Sequence, residues 1–205
     1  MSYCRVARSY WFFEWLSFGG KLRLIREFFV DDLSRNLRGA GKVLLVGDGD
    51  GRFLEVFLKA VDDVCVDYVD LSEGMMRLAK RRVSSERVRY FTEDFREWEG
   101  EKYDAVVAHF FLDGFVEEDL GEVVEKLCVS VRSGGVMVVS DFDPNIAWWG
   151  RLWVCVMRLF FRFFGGVRIG EVERYDSFFK KRGLEKISEF EILKGFVYSV
   201  MFQKV

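Results

Sequence analysis

The stretch Val43-Leu44-Leu45-Val46-Gly47-Asp48-Gly49-Asp50-Gly51-Arg52-Phe53 decides how this chain folds. Four apolar residues run into three alternating glycines and then into a segment with helical spacing, which reads as strand, tight turn and helix. Glycine lets backbone approach a ligand closely, and the N–H groups opening the next helix favour an anionic or polar partner. The turn can therefore hold a nucleotide-like group, or it can be a bare connection. Its surroundings distinguish the two.

Downstream, Phe53, Val56, Phe57 and Ala60 mark a helix face, and Val64 to Val69 is a β-rich run ending at Asp70, which completes a strand–helix–strand unit. Asp70 stands 19 residues beyond Gly51, close to the offset of roughly 20 at which an acidic residue reaches ribose hydroxyls in dinucleotide folds. The plain alternative is a loop or capping aspartate. Ser72, however, is the better N-cap for the helix that carries Met75, Met76, Leu78 and Ala79.

Val88 to Phe91 predicts a third strand, followed by the loop Thr92-Glu93-Asp94-Phe95. Asp94 and Phe95 offer a polar acceptor and an apolar neighbour for a purine ring, or equally a turn aspartate beside a core aromatic. Tyr103 to Ala108 is a fourth strand, continuously apolar in its second half as burial on both faces requires. It ends at His109-Phe110-Phe111-Leu112-Asp113. A helix with Leu120, Val123, Val124, Leu127 and Val131 on one face then stops before Ser133-Gly134-Gly135, and Val136 to Ser140 is a fifth strand ending in Asp141-Phe142-Asp143-Pro144.

The alternation implies right-handed crossovers and a parallel sheet. Val172 to Arg182 reads as a helix ending at Gly183. Ile187 to Leu193 and Phe196 to Val205 then form two β-rich runs joined through Lys194-Gly195, tight enough to be antiparallel neighbours. The expected architecture is an α/β, three-layer, Rossmann-like fold: a parallel sheet of five strands closed by an antiparallel hairpin.

Ahead of the glycine turn, Ser9 to Ser17 is densely aromatic, and beyond Gly19-Gly20 the residues Leu22, Ile25, Phe29 and Leu33 recur at helical spacing. Two helices are expected here, the first over the ligand crevice and the second on the scaffold. At 205 residues the chain reads as a single domain, with an N-terminal helical cap over 1–38, a core over 41–205 and a helical insertion at about 145–166. In the most apolar stretch, Trp148 to Phe164, Arg151, Arg158 and Arg162 fall within about 40° of one another on a helical wheel. That narrow basic stripe fits a core helix with snorkelling arginines, a cover for an apolar substrate, or peripheral contact with a membrane surface rather than a span.

The 22 Phe and 6 Trp against a single Pro exclude disorder, and 31 Lys plus Arg against 33 Asp plus Glu, mixed along the chain, give no footprint for nucleic acid. Cys4, Cys65, Cys128 and Cys155 are scattered and His109 is the only histidine, so no metal site is expected. Reduced, buried thiols and the interrupted N-terminal apolar run point to a cytoplasmic protein without a signal peptide.

Taken together, these segments resemble the class I S-adenosylmethionine-dependent methyltransferases over roughly residues 41 to 205. Val43 to Phe53 resembles the family's cofactor loop, Val69-Asp70-Leu71-Ser72-Glu73-Gly74-Met75-Met76 its second motif, Thr92 to Phe95 its adenine loop, Tyr103 to Val107 its fourth strand, and Val131 to Val136 the turn into its fifth. The closing hairpin agrees with the family's seven-stranded sheet, in which the last strand inserts antiparallel. The resemblance implies S-adenosylmethionine as cofactor and S-adenosylhomocysteine as product. Gly47, Asp48, Gly49 and Gly51 would face the amino-acid end, Asp70 with Leu71 and Met75 the ribose side, Asp94 and Phe95 the adenine, and His109 would close the site. One position departs from the family: Leu45 stands where an acidic residue commonly helps to hold the methionine part.

Methyl transfer is an in-line displacement that asks a protein to align nucleophile and methyl group, exclude water and sometimes take a proton. Ligands sit beyond the carboxyl ends of the strands, so the catalytic candidates are His109, Asp113 and Asp141, with His109 the natural base at its ordinary pKa. Against that, a histidine closing a buried strand is more often just hydrogen-bonded structure. The expected acceptor is a small, apolar or aromatic molecule under an aromatic lid formed by Tyr10 to Phe18 and Trp148 to Phe164. Two other readings stay open: an S-adenosylmethionine-binding module without catalysis, for which Leu45 speaks, and methylation of a lipid or quinone at a membrane surface.

Overall fold

The computed structural model describes residues 20–37, 41–143 and 175–205. The segments expected to form the aromatic lid, the basic stripe and the first N-terminal helix lie outside the described residues.

The chain enters through two short helices, α1 (Lys21–Glu27) and α2 (Val30–Asn36). It continues through β1 (Gly41–Val46), α3 (Arg52–Ala60), β2 (Val64–Val69), α4 (Glu73–Arg82), β3 (Val88–Phe91) and β4 (Tyr103–His109). After α5 (Glu117–Ser130) come β5 (Val131–Phe142), α6 (Asp176–Lys180), β6 (Leu184–Ile192) and β7 (Val197–Lys204). The sheet order is β3-β2-β1-β4-β5-β7-β6; β1 to β5 are parallel, and β7 pairs antiparallel with both β5 and β6. The order reverses at β1, between β2 and β4, which places the crevice for a ligand at the carboxyl ends of those strands.

Alternation along each strand builds the three layers. Val43 and Leu45 of β1 bury on one face with Phe53, Phe57, Met76 and Ala79 of α3 and α4, and with Leu33 of α2. Leu44 and Val46 bury on the other with Val123, Val124 and Leu127 of α5 and Phe179 of α6. Because both faces are covered, β1 and β4 are apolar almost throughout.

Four boundaries differ from the expectation. The helix read through Leu22, Ile25, Phe29 and Leu33 breaks at Phe28–Phe29 into α1 and α2. The break lets Leu22 and Ile25 pack on Phe142, Phe196 and Val197 at the ends of β5 and β7, while Phe29 and Leu33 join the core over β1. Phe28, 43% exposed, stacks on Phe190 of β6. The fifth strand begins early, at Val131, and absorbs Ser133-Gly134-Gly135 as an irregularity against β4. It also continues through Asp141 and Phe142, because Tyr198 and Val197 of β7 pair with them; Asp141 is thus a strand residue rather than a loop residue. Of the helix read from Val172, the described part is α6, with Gly183 following in the left-handed region (φ 75°).

Cys128 is buried, but Cys65 is exposed on β2, contrary to the expectation of buried thiols. It occupies the second position of the strand, beside Lys42 at the open amino end of the sheet. Among the described residues there is no group of three or more metal-ligating side chains, and no helix is long and apolar enough to cross a membrane.

Candidate functional site

The site grows from the turn between β1 and α3. Gly47, Gly49 and Gly51 all take positive φ (66°, 71° and 77°), a conformation that L side chains adopt only under strain. Two of the three are also confined from outside. A Cβ at Gly47 would meet the Phe111 ring at 2.4 Å, and one at Gly51 would meet Ala79 of α4 at 3.0 Å. Gly49 differs: its nearest neighbour would be Met75 Sδ at 3.9 Å, so its open side faces space a ligand can fill.

The Gly49 peptide is held from β2. Its N–H donates to Asp70 Oδ2 at 3.1 Å, and its carbonyl accepts from the Tyr68 hydroxyl at 2.8 Å. Tyr68 and Asp70 lie two residues apart and project to the same side. Asp70 Oδ1 accepts the Ser72 N–H at 2.8 Å, while Ser72 Oγ caps α4 through the Met75 N–H, as its spacing predicts. Burial pushes the Asp70 carboxyl up to about 6 against these two backbone donors, and pushes Asp48 up to about 7. Asp48 Oδ2 accepts the Leu54 N–H in the first turn of α3 at 3.3 Å. Leu71, beside Asp70, is 65% exposed at the mouth of the crevice. Leu45 is fully in the core, where its neighbours are Tyr68 and Val107.

The β3 loop lies next to this cluster. Phe95 is buried and meets Phe111 edge-on at 5.8 Å, and Phe111 in turn fills the space beside Gly47. The Asp94 carboxylate is gripped by Arg96 through its N–H, Nε and Nη2, the closest contact being 2.6 Å. That pairing holds Asp94 below the usual carboxylate range. Arg96 also bonds Asp119 of α5 at 2.9 Å. In this structure Asp94 is therefore a turn aspartate beside a core aromatic, with little acceptor capacity left for a purine.

The ends of β4 and β5 carry the remaining candidates. His109 is 4% exposed. Its Nδ1 lies 2.8 Å from Ser140 Oγ, which donates onward to Ser199 Oγ at 2.7 Å, and its ring meets Phe53 edge-on at 4.6 Å. Nε2 is buried without a hydrogen-bond partner among the described residues. Burial, reinforced by Arg26, lowers His109 to about 3. The imidazole is neutral, and the near-neutral pKa that made it the natural base does not hold in the folded chain.

Asp141 is fully buried; its Oδ2 accepts the Asp113 N–H at 3.2 Å and its Oδ1 the Phe142 N–H at 2.9 Å. Burial, and the neighbouring Asp113 carboxyl, hold Asp141 well above the usual range, while burial brings Asp113 to about 6. Asp141 therefore ties the loop after β4 to β5 through these two backbone bonds.

Glycine turn, Asp70, Leu71 and Met75 thus converge at the ends of β1 and β2, Asp94 and Phe95 at the end of β3, and His109, Asp113 and Asp141 at the ends of β4 and β5. Tyr68 was legible in principle from its position two before Asp70. Ser140, Ser199 and Arg96 join the site only through strand pairing and loop closure.

Residues 43–135 match the model of a family described as a methyltransferase domain. A malonyl-[acyl-carrier protein] O-methyltransferase of Acetivibrio thermocellus is 31% identical over 114 residues, 55% of this chain and 40% of that protein. The protein of the same name from Priestia megaterium is 29% identical over 101 residues, 49% of this chain and 36% of that one. The chain spans less than half the length of these curated relatives. Among solved structures, the N-methyltransferase NodS of Bradyrhizobium japonicum, in complex with S-adenosylhomocysteine, superposes with a TM-score of 0.68 at 13% identity, covering 87% of this chain and 85% of that one. The matched methyltransferase domain spans the strands and glycine turn described above, and the superposition shows that the chain shares the fold of that methyltransferase.

Proposed function

We propose that this chain transfers a methyl group from S-adenosylmethionine to a small apolar or aromatic acceptor. The observation that carries the reading is the Gly49 peptide, fixed from β2 by Tyr68 and Asp70 with its open side toward the crevice. The residues fit the cofactor. Three left-handed glycines let the backbone approach it, and Asp70 keeps acceptor capacity for ribose hydroxyls. Met75 and the exposed Leu71 offer apolar cover. When bound, S-adenosylmethionine supplies an activated sulfonium methyl group.

The chain's own residues align the partners and keep water out. His109, kept neutral by burial, is placed to hydrogen-bond a nucleophile through Nε2 rather than to take its proton. Asp113, near 6, is the candidate to accept a proton where the acceptor must lose one, with Asp141 holding its loop.

A second reading is favoured by the curated relatives: a carboxyl acceptor of the malonyl thioester type. A carboxylate oxygen is already ionised at neutral pH and asks for no base, which suits a site whose histidine is neutral and weakly basic.

Titration calorimetry with S-adenosylhomocysteine tests the cofactor site: saturable binding, abolished in Asp70→Ala, is expected, and the absence of binding by the native chain overturns the proposal. Release of S-adenosylhomocysteine, followed over a panel of phenols, amines and carboxylic acids including a malonyl thioester, then separates the two acceptors. Cofactor binding without turnover across the panel would favour a binding module.

A further inference from the structure

We infer that Ser140 and Ser199 are positioning residues that fix the tautomer of His109, holding the ring proton on Nδ1 so that the lone pair of Nε2 receives the O–H or N–H of a methyl acceptor. The inference deepens the functional reading above and rests on it. It names the acceptor class: a hydrogen-bond donor such as a phenol or an amine, in preference to a carboxylate, whose oxygens bring only further lone pairs.

The three side chains form one row across three strands. His109 of β4 lies opposite Ser140 of β5, and Ser140 lies opposite Ser199 of β7. Val107, Val138 and Met201, each two residues from a member of the row on its own strand, belong to the core under α3. Strand alternation therefore puts the row on that face, where Phe53 of α3 meets the imidazole edge-on at 4.6 Å. All three residues are buried. Bulk water does not reach them, so the ring and the two hydroxyls have to satisfy one another.

A neutral imidazole offers one donor and one acceptor, and each hydroxyl offers one proton, so the row can run in either direction. Run toward the ring, Ser140 donates to Nδ1. The ring proton then sits on Nε2, which has no partner among the described residues and would be a buried N–H without an acceptor. Run away from the ring, Nδ1 donates to Ser140 at 2.8 Å and Ser140 to Ser199 at 2.7 Å, and only a lone pair is left open. Among buried backbone groups an orphaned N–H is rarer than an under-satisfied acceptor, and the same preference selects the second direction. Ser199 acts through Ser140: it takes the proton that Ser140 would otherwise turn on Nδ1. His109 is the last residue of β4, at the strand end where the crevice opens, so the open lone pair is offered to a ligand there.

His109 is the only histidine in the chain, so isotopic nitrogen labelling of histidine gives NMR signals that report its tautomer without ambiguity and without cofactor. A single Nδ1–H tautomer is expected in the native chain near neutral pH. In Ser140→Ala, and in Ser199→Ala, which leaves the Ser140 hydroxyl beside Nδ1, the ratio should move roughly three- to tenfold toward Nε2–H, the equivalent of one hydrogen bond. Ser199→Thr keeps a hydroxyl and should keep the native tautomer. A native Nε2–H tautomer, a ratio unmoved in both alanine variants, or a shift in Ser140→Ala alone overturns the row. Phenol and benzoate, added to the native chain at equal concentration, probe the acceptor class: phenol should shift the unprotonated Nε2 signal and benzoate should leave it in place. Equal shifts with the two probes, or none with phenol, overturn the choice of acceptor. Failure to bind S-adenosylhomocysteine would sink the methyl-transfer reading by itself, while these signals decide the row.

Discussion

The Tyr68 hydroxyl donates to the carbonyl oxygen of Gly49 at 2.8 Å, so a buried side chain of β2 sets the height of the turn that follows β1. The same peptide is bound on its other side by Asp70. Tyr68→Phe removes this one bond and little packing. Stability should fall by about 1 kcal/mol, measured by urea denaturation, and S-adenosylhomocysteine affinity by several-fold. A variant with native affinity would show that the turn keeps its shape without the hydroxyl.

The three glycines of the turn should respond differently to alanine. At Gly47 and Gly51 the added Cβ meets Phe111 at 2.4 Å or Ala79 at 3.0 Å as well as an unfavourable φ. Losses of about 2–4 kcal/mol in stability are expected there. Gly49→Ala should cost only about 1 kcal/mol for the backbone, because its nearest neighbour is Met75 Sδ at 3.9 Å. Its Cβ enters the space assigned to the cofactor, however, so calorimetry should record at least a tenfold loss of S-adenosylhomocysteine affinity. A greater stability loss in Gly49→Ala than in Gly47→Ala would contradict this assignment.

Asp48 and Asp70, raised to about 7 and about 6 by burial, make a signed prediction. The folded chain binds these protons more tightly than the unfolded one, so their contribution to stability is fully present below about pH 4 and is lost as pH rises through 6 and 7. Ligand binding at Asp70 runs the other way, since ribose hydroxyls favour an ionised carboxylate. Affinity for S-adenosylhomocysteine should therefore rise between pH 5 and 7, and Asp70→Asn should flatten that profile. Calorimetry across the range in the native chain and the variant checks it.

His109 has the opposite sign. Its folded pKa, near 3, lies below the ordinary value, so its contribution is present above about pH 6.5 and is lost as pH falls toward 3. In Ser140→Ala, Nδ1 loses its partner at 2.8 Å, and a cost of about 1–3 kcal/mol is expected for the buried polar atom left unpaired. His109→Phe should lessen the acid-side loss seen in thermal denaturation. An unchanged acid limb would mean that the imidazole does not titrate on unfolding in that range.

The order of elements was readable because its signals are local. Val43 to Gly51 carries strand, turn and helix in one span, and each later strand is a short apolar run between polar breaks. Asp70 was readable by its spacing from Gly51. Arg96 illustrates the opposite case: nothing in the loop Thr92 to Phe95 announces that the next arginine will fold back onto Asp94 and reach Asp119 on α5. The break at Phe28–Phe29 was equally invisible, since both rings fit one helical stripe and only the presence of two separate cores pulls them apart.

The sequence by itself determined the parallel sheet with its closing hairpin and the glycine turn beside Asp70, because periodicity and glycine conformation act over a few neighbouring residues. Tertiary structure decided the chemistry at the strand ends. Burial, a property no segment carries alone, lowers the His109 imidazole to about 3 and raises the Asp141 carboxyl. Packing of α1 across α3 and the end of β7 brings Arg26 over the Phe110 ring at the end of β4, a contact that no local pattern encodes.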